Sequence, residues 1–170
     1  QLDNWATDMT IYDGRLFVGG YFNAAGGTTG SAKLAGWDGT EWIGIDAQLE
    51  SWQSSVWALE SFDDGSGDAL YIGGNYLNIG GIGVDHRAKW DGEAFSEVGG
   101  ALGGAVPLLM KCFHVFDDGS GLALYAGGRF KTLGGVSVNH IARWNGTSWE
   151  SLGTGLAGSG VGVGAHAMVT

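Results

Sequence analysis

The stretch that decides the fold is Phe-His-Val-Phe-Asp-Asp-Gly-Ser-Gly-Leu-Ala-Leu-Tyr-Ala-Gly-Gly-Arg-Phe at 113–130. It continues through Gly134-Gly135 to His-Ile-Ala-Arg-Trp-Asn-Gly-Thr-Ser-Trp at 140–149 and Leu-Gly-Thr-Gly-Leu at 152–156. This is one of three copies of a unit. Its first glycine pair recurs as Gly19-Gly20, Gly73-Gly74 and Gly127-Gly128, each 54 residues from the next. Its second recurs at the same spacing as Gly26-Gly27, Gly80-Gly81 and Gly134-Gly135. Trp37, Trp90 and Trp144 are 53 and 54 apart, which places one inserted residue in the first copy; Trp42, Phe95 and Trp149 continue the series. A fixed period of this length is the mark of one supersecondary unit repeated in tandem.

Each copy divides into four short β-rich segments separated by turn residues. Segment a covers Thr7 to Tyr12, Val56 to Phe62 and Met110 to Phe116; segment b covers Leu16 to Phe22, Leu70 to Tyr76 and Leu124 to Phe130. Segment c covers Lys33 to Trp37, His86 to Trp90 and His140 to Trp144; segment d runs from Trp42, Phe95 and Trp149 to Ile45, Val98 and Leu152. Asp38-Gly39, Asp91-Gly92 and Asn145-Gly146, between c and d, predict type I′ turns, which need positive φ at both central residues. Asp13-Gly14 predicts a tight a–b hairpin in the first copy, while Asp63 to Asp68 and Asp117 to Gly121 predict longer ones. The b–c connection is the longest and least uniform, as expected of a variable surface. Residues 165–170 look like a fourth segment a. The expected organisation is therefore all-β: four-stranded antiparallel units at 1–55, 56–109 and 110–163, and the first strand of a further unit at 164–170.

Composition narrows the function classes. With 34 glycines in 170 residues and one proline, Pro107, the chain is too glycine-rich for helices and lacks the strict triplet of collagen. Eight Lys+Arg against 18 Asp+Glu give a formal charge of −10 and no basic patch, which argues against nucleic acid. No apolar run is of membrane-spanning length, and no basic-then-apolar leader stands at the start. The single cysteine, Cys112, excludes an intrachain disulfide and, in an alternating apolar strand, reads as a buried thiol.

Four-stranded units that are apolar on both faces of b and c cannot bury themselves alone, and radial stacking as β-propeller blades solves that. The first glycine pair would then let a neighbouring aromatic such as Trp37, Trp90 or Trp144 lie against the backbone. The order apolar-Tyr-apolar-Gly-Gly, then Trp, then a second aromatic after a turn resembles the kelch motif of galactose-oxidase-type propellers. More closely, Phe-Asp-Asp-Gly-Ser-Gly, Leu-Tyr-x-Gly-Gly-x-Phe and Ala-x-Trp-Asp/Asn-Gly-x-x-Trp resemble glycine- and tryptophan-rich tandem repeats of large secreted bacterial proteins. The resemblance covers nearly the whole chain and implies an extracellular or cell-surface location. It departs from ordinary kelch in its Trp-Asp-Gly turn and its glycine content. Closed propellers typically have about 4–8 blades, so three imply a partial propeller or half of an oligomeric ring. The expected partners are a second copy of the chain or further blades of a longer one.

Few residues suggest chemistry. Asp64, Ser66 and Asp68 have the one-three-five spacing of calcium-binding oxygens, and Asp63 adds a carboxylate; a weak Ca²⁺ site is weighed there against a solvated hairpin. His86 and His140 precede their tryptophans by four residues, with Asp85 and Asn139 before them and Lys33 in the equivalent place of copy one. Asn23, Asn78, Asp85, His86, Lys131, Asn139 and His140 form the candidate ligand-binding set on the b–c loops, weighed against structural hydrogen bonding at the strand entrance. No nucleophile elbow, zinc-binding helix motif or phosphate loop is present, so no enzyme, catalytic residue or cofactor is expected. Asn145-Gly146-Thr147 matches a glycosylation acceptor, but the hairpin alone accounts for it. The expected function is a non-enzymatic extracellular scaffold or binding module for glycans or surface proteins. The alternatives are a lectin-like propeller and part of a propeller enzyme whose site lies in other blades.

Overall fold

The computed structural model describes residues 1–49, 51–104, 108–157 and 164–168, and among them there is no helix, hence none that could cross a membrane. In chain order the strands are β1 (Ala6–Tyr12), β2 (Arg15–Gly20), β3 (Leu34–Trp37), β4 (Trp42–Gly44), β5 (Ser55–Asp63), β6 (Asp68–Asn75), β7 (Asn78–Ile79), β8 (Ile82–Gly83) and β9 (Arg87–Trp90). They continue with β10 (Phe95–Glu97), β11 (Leu102–Gly103), β12 (Leu109–Asp117), β13 (Leu122–Arg129), β14 (Thr132–Leu133), β15 (Val136–Ser137), β16 (Ile141–Trp144) and β17 (Trp149–Ser151). Three antiparallel four-stranded sheets result: β1-β2-β3-β4, β5-β6-β9-β10 and β12-β13-β16-β17, here called units 1, 2 and 3. Segments a to d fall on these strands to within two residues at each end. The fourth segment a does not: residues 164–168 carry no strand, and Val169 and Thr170 lie outside the described residues.

Most of the core lies between units rather than within them. One cluster joins Tyr12, Phe17 and Leu34 of unit 1 to Val56, Leu59, Ile72 and Trp90 of unit 2; another joins Phe62 and Tyr71 of unit 2 to Met110, Phe113 and Trp144 of unit 3. The first glycine pair explains the join, in a way that corrects the expectation. Successive strand residues face opposite sides, so the two glycines serve two neighbours. On one side, a Cβ at Gly19 would strike Val56, and one at Gly73 would lie 2.5 Å from Met110 Cγ and 2.9 Å from Phe113 Cε2. On the other, the rings of Phe22, Tyr76 and Phe130 fold back over Gly20, Gly74 and Gly128. The neighbour against the first glycine is thus the next unit's first strand, not a tryptophan. Trp90 instead packs edge-on against Tyr12 and Phe17, with centroids 5.9 and 5.6 Å away.

Each first strand carries a β-bulge opposite the glycine pair, between Ala6 and Asp8, Val56 and Ala58, and Met110 and Cys112. The extra residue puts positions three apart on one face, which is how Val56 and Leu59 both reach Gly19. The bulged residues themselves, Thr7, Trp57 and Lys111, are re-aimed out of the core. Thr7 uses its hydroxyl to bind the Val56 carbonyl at 2.5 Å, tying unit 1 to unit 2.

Two turn expectations change. In the c–d turns only Gly39, Gly92 and Gly146 have positive φ. The turns span four residues, and the Asp38, Asp91 and Asn145 side chains each accept two backbone N–H groups, an Asx turn rather than type I′. The doubly positive turn is found in the b–c connection, where Gly26-Gly27, Gly80-Gly81 and Gly134-Gly135 agree across copies to within a few degrees (φ 60 and 82, 55 and 81, 57 and 82). That glycine turn is therefore uniform, while the rest of the b–c connection differs: copy one carries the inserted residue and only isolated bridges where the other copies have β7–β8 and β14–β15. The first glycine of each pair also donates its N–H to a carbonyl of the segment that precedes its unit: Gln1, Ala47 and Ala101.

Candidate functional site

The b–c residues expected to bind a ligand are mostly used by the fold. Lys33, His86 and His140 share a left-handed backbone (φ 65, 63 and 75). In each, the N–H donates to Phe22, Tyr76 or Phe130, and the carbonyl accepts from Gly20, Gly74 or Gly128. All three side chains are buried. The His86 and His140 Nδ1 atoms have no hydrogen-bond partner among the described residues, and burial pulls the His86 imidazole below its ordinary pKa. The Asp85 carboxylate accepts from Leu102 N–H at 2.6 Å, and the Asn139 amide donates to the Thr154 carbonyl at 2.7 Å; both staple the chain that follows strand d. Asn23 accepts from the Lys33 ammonium at 2.6 Å, and Asn78 and Lys131 lie exposed on their own small hairpins. The structure does not gather these seven residues into one site.

The sequence also gave no warning about Arg87. It stands where Leu34 and Ile141 stand in the other copies, is fully buried, and donates to the Asp85 carbonyl at 2.8 Å and to the Gly100 carbonyl. Its guanidinium carbon lies 5.9 Å from the Trp149 ring centroid, and burial pulls its pKa down to about 10. It joins unit 2 to unit 3.

The acidic hairpins have an internal use as well. Asp63 accepts from the N–H groups of Gly65 and Gly67, and Asp64 from the N–H and hydroxyl of Ser66, from the Tyr71 hydroxyl and from the Lys89 ammonium, the last two at 2.6 Å. Asp68 lies at the start of β6, and its carbonyl accepts from Tyr12. Unit 3 repeats the device with Asp118, Ser120, Tyr125 and Arg143. Unit 1 has the two-residue hairpin instead, and the positions equivalent to the tyrosine and the base hold Phe17 and Gly36. Loop, tyrosine and base are present or absent together, as parts of one latch would be. Among the described residues no group of three His, Cys, Asp or Glu side chains is arranged to hold a metal. Cys112 is buried, which pushes its thiol up to about 11.

What the residues do build is a cleft of 470 Å³ where the end of β2 meets the start of β5, lined by Tyr21, Trp52, Gln53, Ser55, Trp57 and Asn75. That volume is within the roughly 300–1,000 Å³ typical of small-ligand sites. Trp52, in the connection before β5, is 85% exposed. Trp57 is there because it is the bulged residue of β5, and Tyr21 because it follows the glycine pair. Their ring centroids are 6.4 Å apart, and Trp5 meets Tyr21 edge-on at 6.5 Å. The Asn75 amide donates to the Gln53 carbonyl at 2.9 Å. Among the lining residues, the Ser55 hydroxyl and the Trp57 indole N–H are buried without a partner among the described residues. Lys111, the bulged residue of the next unit, holds its ammonium 3.3 Å from the Trp57 centroid.

No family model, curated protein or solved structure matches this chain. The cleft therefore has to be read from its own chemistry. None of its residues was in the expected set, and comparison of the copies does not single them out. Tyr21 is aligned with Asn75 and Arg129, and Trp57 with Thr7 and Lys111. Every copy differs at these two positions, as it also does at Asp8, Ala58 and Cys112 and at Thr10, Glu60 and His114.

Proposed function

We propose that this chain is a carbohydrate-binding module made of propeller-type blades, and that the Tyr21–Trp52–Trp57 cleft is its site. The blade reading is supported by three like meanders, first strands that adjoin, and a core placed between units. The single observation that carries the ligand class is an exposed indole beside a tyrosine and a second indole, bordered by amides, on a protein of charge −10. Aromatic faces receive the C–H face of a sugar ring, and Gln53 and Asn75 offer donors and acceptors to its hydroxyls. A quaternary ammonium also favours aromatic cages, but the Lys111 ammonium already lies over Trp57 and repels a ligand cation. A single nucleic-acid strand also stacks on aromatics, and the net charge opposes it. We assign no reaction or cofactor to the module, and its proposed place is extracellular or at the cell surface, where glycans are met.

The test is a glycan array followed by calorimetric titration of the best binder. Trp52→Ala is expected to weaken binding about tenfold, a loss of about 1.4 kcal/mol, without moving the unfolding midpoint, because Trp52 is exposed. Absence of binding across neutral and acidic glycans at millimolar concentration counts decisively against the proposal, as does binding that Trp52→Ala leaves intact.

A further inference from the structure

Lysine and arginine are scarce in this chain, eight against 18 acids, and most of the eight have a visible task. Arg15, Lys89 and Arg143 pair with the carboxylates of Asp13, Asp64 and Glu150. Lys33 and Arg87 donate inside the fold, to the Tyr21 carbonyl and Asn23 amide oxygen and to the carbonyls of Asp85 and Gly100. Lys111 is different. Among the described residues it meets no carboxylate within ion-pair distance. What its ammonium does meet is the face of Trp57, 3.3 Å from the ring centroid, and that ring is a wall of the aromatic cleft.

The bulge of β12 aims Lys111 there, and the ladder sets a second cation beside it, because Arg129 pairs with Leu109 just before the bulge. The equivalent positions hold Thr7 and Tyr21 in unit 1 and Trp57 and Asn75 in unit 2, so this pair of cations belongs to unit 3 alone. Lys111 is half-buried, and burial and the Arg129 guanidinium pull its ammonium below the ordinary lysine pKa. An anion in the cleft would relieve both effects. The net charge of −10 repels anions from afar, but beyond about 8 Å such repulsion is largely screened at physiological salt, which leaves the nearest charge to decide.

We propose that the cleft selects glycans whose sugar ring bears a carboxylate, as uronic acids do, and that Lys111 is the residue that distinguishes them from neutral sugars. This rests on the reading of the cleft as a sugar site. A uronic acid keeps the C–H face that aromatic rings receive, and its carboxylate is attached directly to the ring. A sugar lying against Trp57 therefore brings its negative charge to the lysine on that indole. The ammonium supplies three donors, and a hydrogen bond between ionised partners is about twice as strong as a neutral one. The neutral sugar stacks equally well but gains nothing from Lys111.

Calorimetric titration of the whole chain tests it, with tetramers of glucuronic, mannuronic and galacturonic acid, each beside its carboxyl-reduced neutral form. At least one acid is expected to bind about tenfold more tightly than its reduced form, the advantage of a hydrogen bond to a charged group. Lys111→Met, which keeps an apolar stem over Trp57, is expected to abolish that preference and leave the reduced form unaffected; Lys111→Arg is expected to retain it. Equal affinity for acid and reduced form in the parent overturns this proposal while leaving the sugar reading in place. No binding of either form overturns both. A Lys111→Met variant that weakens both forms alike also overturns it, because the lysine then only supports the Trp57 ring. Should Lys111→Met misfold, salt titration of the parent decides: added NaCl is expected to weaken the acid and spare the reduced form, and a preference indifferent to salt overturns the proposal.

Discussion

Gly74→Ala is expected to cost about 3 kcal/mol of folding stability, the upper part of the range for forcing extra atoms into a packed site. A Cβ at Gly74 would land on the Ser55 carbonyl oxygen and lie 3.1 Å from Tyr76 Cε1. Neither obstacle can rotate aside. The carbonyl belongs to the backbone just before the bulge, and the Tyr76 ring is buried with its hydroxyl donating to the Ile72 carbonyl at 2.7 Å. Relief requires β5 to move away from β6, which disturbs the bulge that sets Val56 and Leu59 against unit 1. The same conflict is present at Gly20 with the Trp5 carbonyl and at Gly128 with the Leu109 carbonyl, so the effect belongs to the repeat. Gly83 supplies the control. A Cβ there meets only Asn78 Oδ1, at 3.9 Å, and Gly83→Ala is expected to stay within about 0.5 kcal/mol of the parent. Urea unfolding of the three proteins distinguishes the cases, and a loss below about 1 kcal/mol for Gly74→Ala would show that the bulge yields more easily than its geometry implies.

Repetition made the strands legible in the sequence. Three aligned copies fix where β2, β6 and β13 lie, because glycine pairs, tryptophans and turns must recur wherever the backbone does. What repetition hid was the partner of each feature. The alignment shows that Gly19 and Gly73 must stay small, but not whether a tryptophan or the next first strand fills the space, since both recur with the same period. The bulge was likewise invisible: an extra residue at the same place in all three copies leaves the spacing unchanged. Because Trp57 is aimed outward by that bulge, the cleft was lost with it. The histidines misled for a related reason. His86 and His140 look like a polar pair on a loop, and only the positive φ reveals a position where backbone geometry governs and the side chain turns inward. Copy-to-copy differences mark the cleft only in part: Tyr21 and Trp57 change in every copy and line it, but Thr10, Glu60 and His114 change as fully and do not.

Asp64→Ala is expected to cost about 3 kcal/mol, whereas Asp118→Ala, the same residue of the same loop one unit later, is expected to change stability far less. Breaking a buried ion pair by removing one partner leaves the other charge uncompensated, at roughly 3–5 kcal/mol. Asp64 meets that description on its own side, which sets the cost at the low end: its side chain is 4% exposed, Lys89, itself 21% exposed, is bound at 2.6 Å, and the Tyr71 hydroxyl depends on it. The turn of unit 3 closes over it, with Gly146 packed on the Asp64 carbonyl. Asp118 has no such cover; its side chain is 41% exposed, and Arg143 keeps Glu150 as a second partner at 2.8 Å. Acid should expose the same difference. Burial pushes the Asp64 carboxyl up, but hydrogen bonds from Lys89, Ser66 and Tyr71 outweigh it and hold the group well below the usual carboxylate range. A carboxylate with its folded pKa depressed contributes stability that is present above its unfolded value, about 3.9, and is lost as pH falls through the folded one. Asp8 and Glu60 have the opposite sign. Burial raises both, so their contribution is present below the unfolded values and lost as pH rises through the folded ones. The total acid limb therefore mixes the two, and the difference between the parent and Asp64→Asn isolates the latch. That difference is expected to be constant from pH 7 to about pH 5 and to narrow progressively below about pH 4. A difference that stays flat down to pH 2 would mean that Asp64 supports the hairpin through its shape and hydrogen bonds and not through its charge.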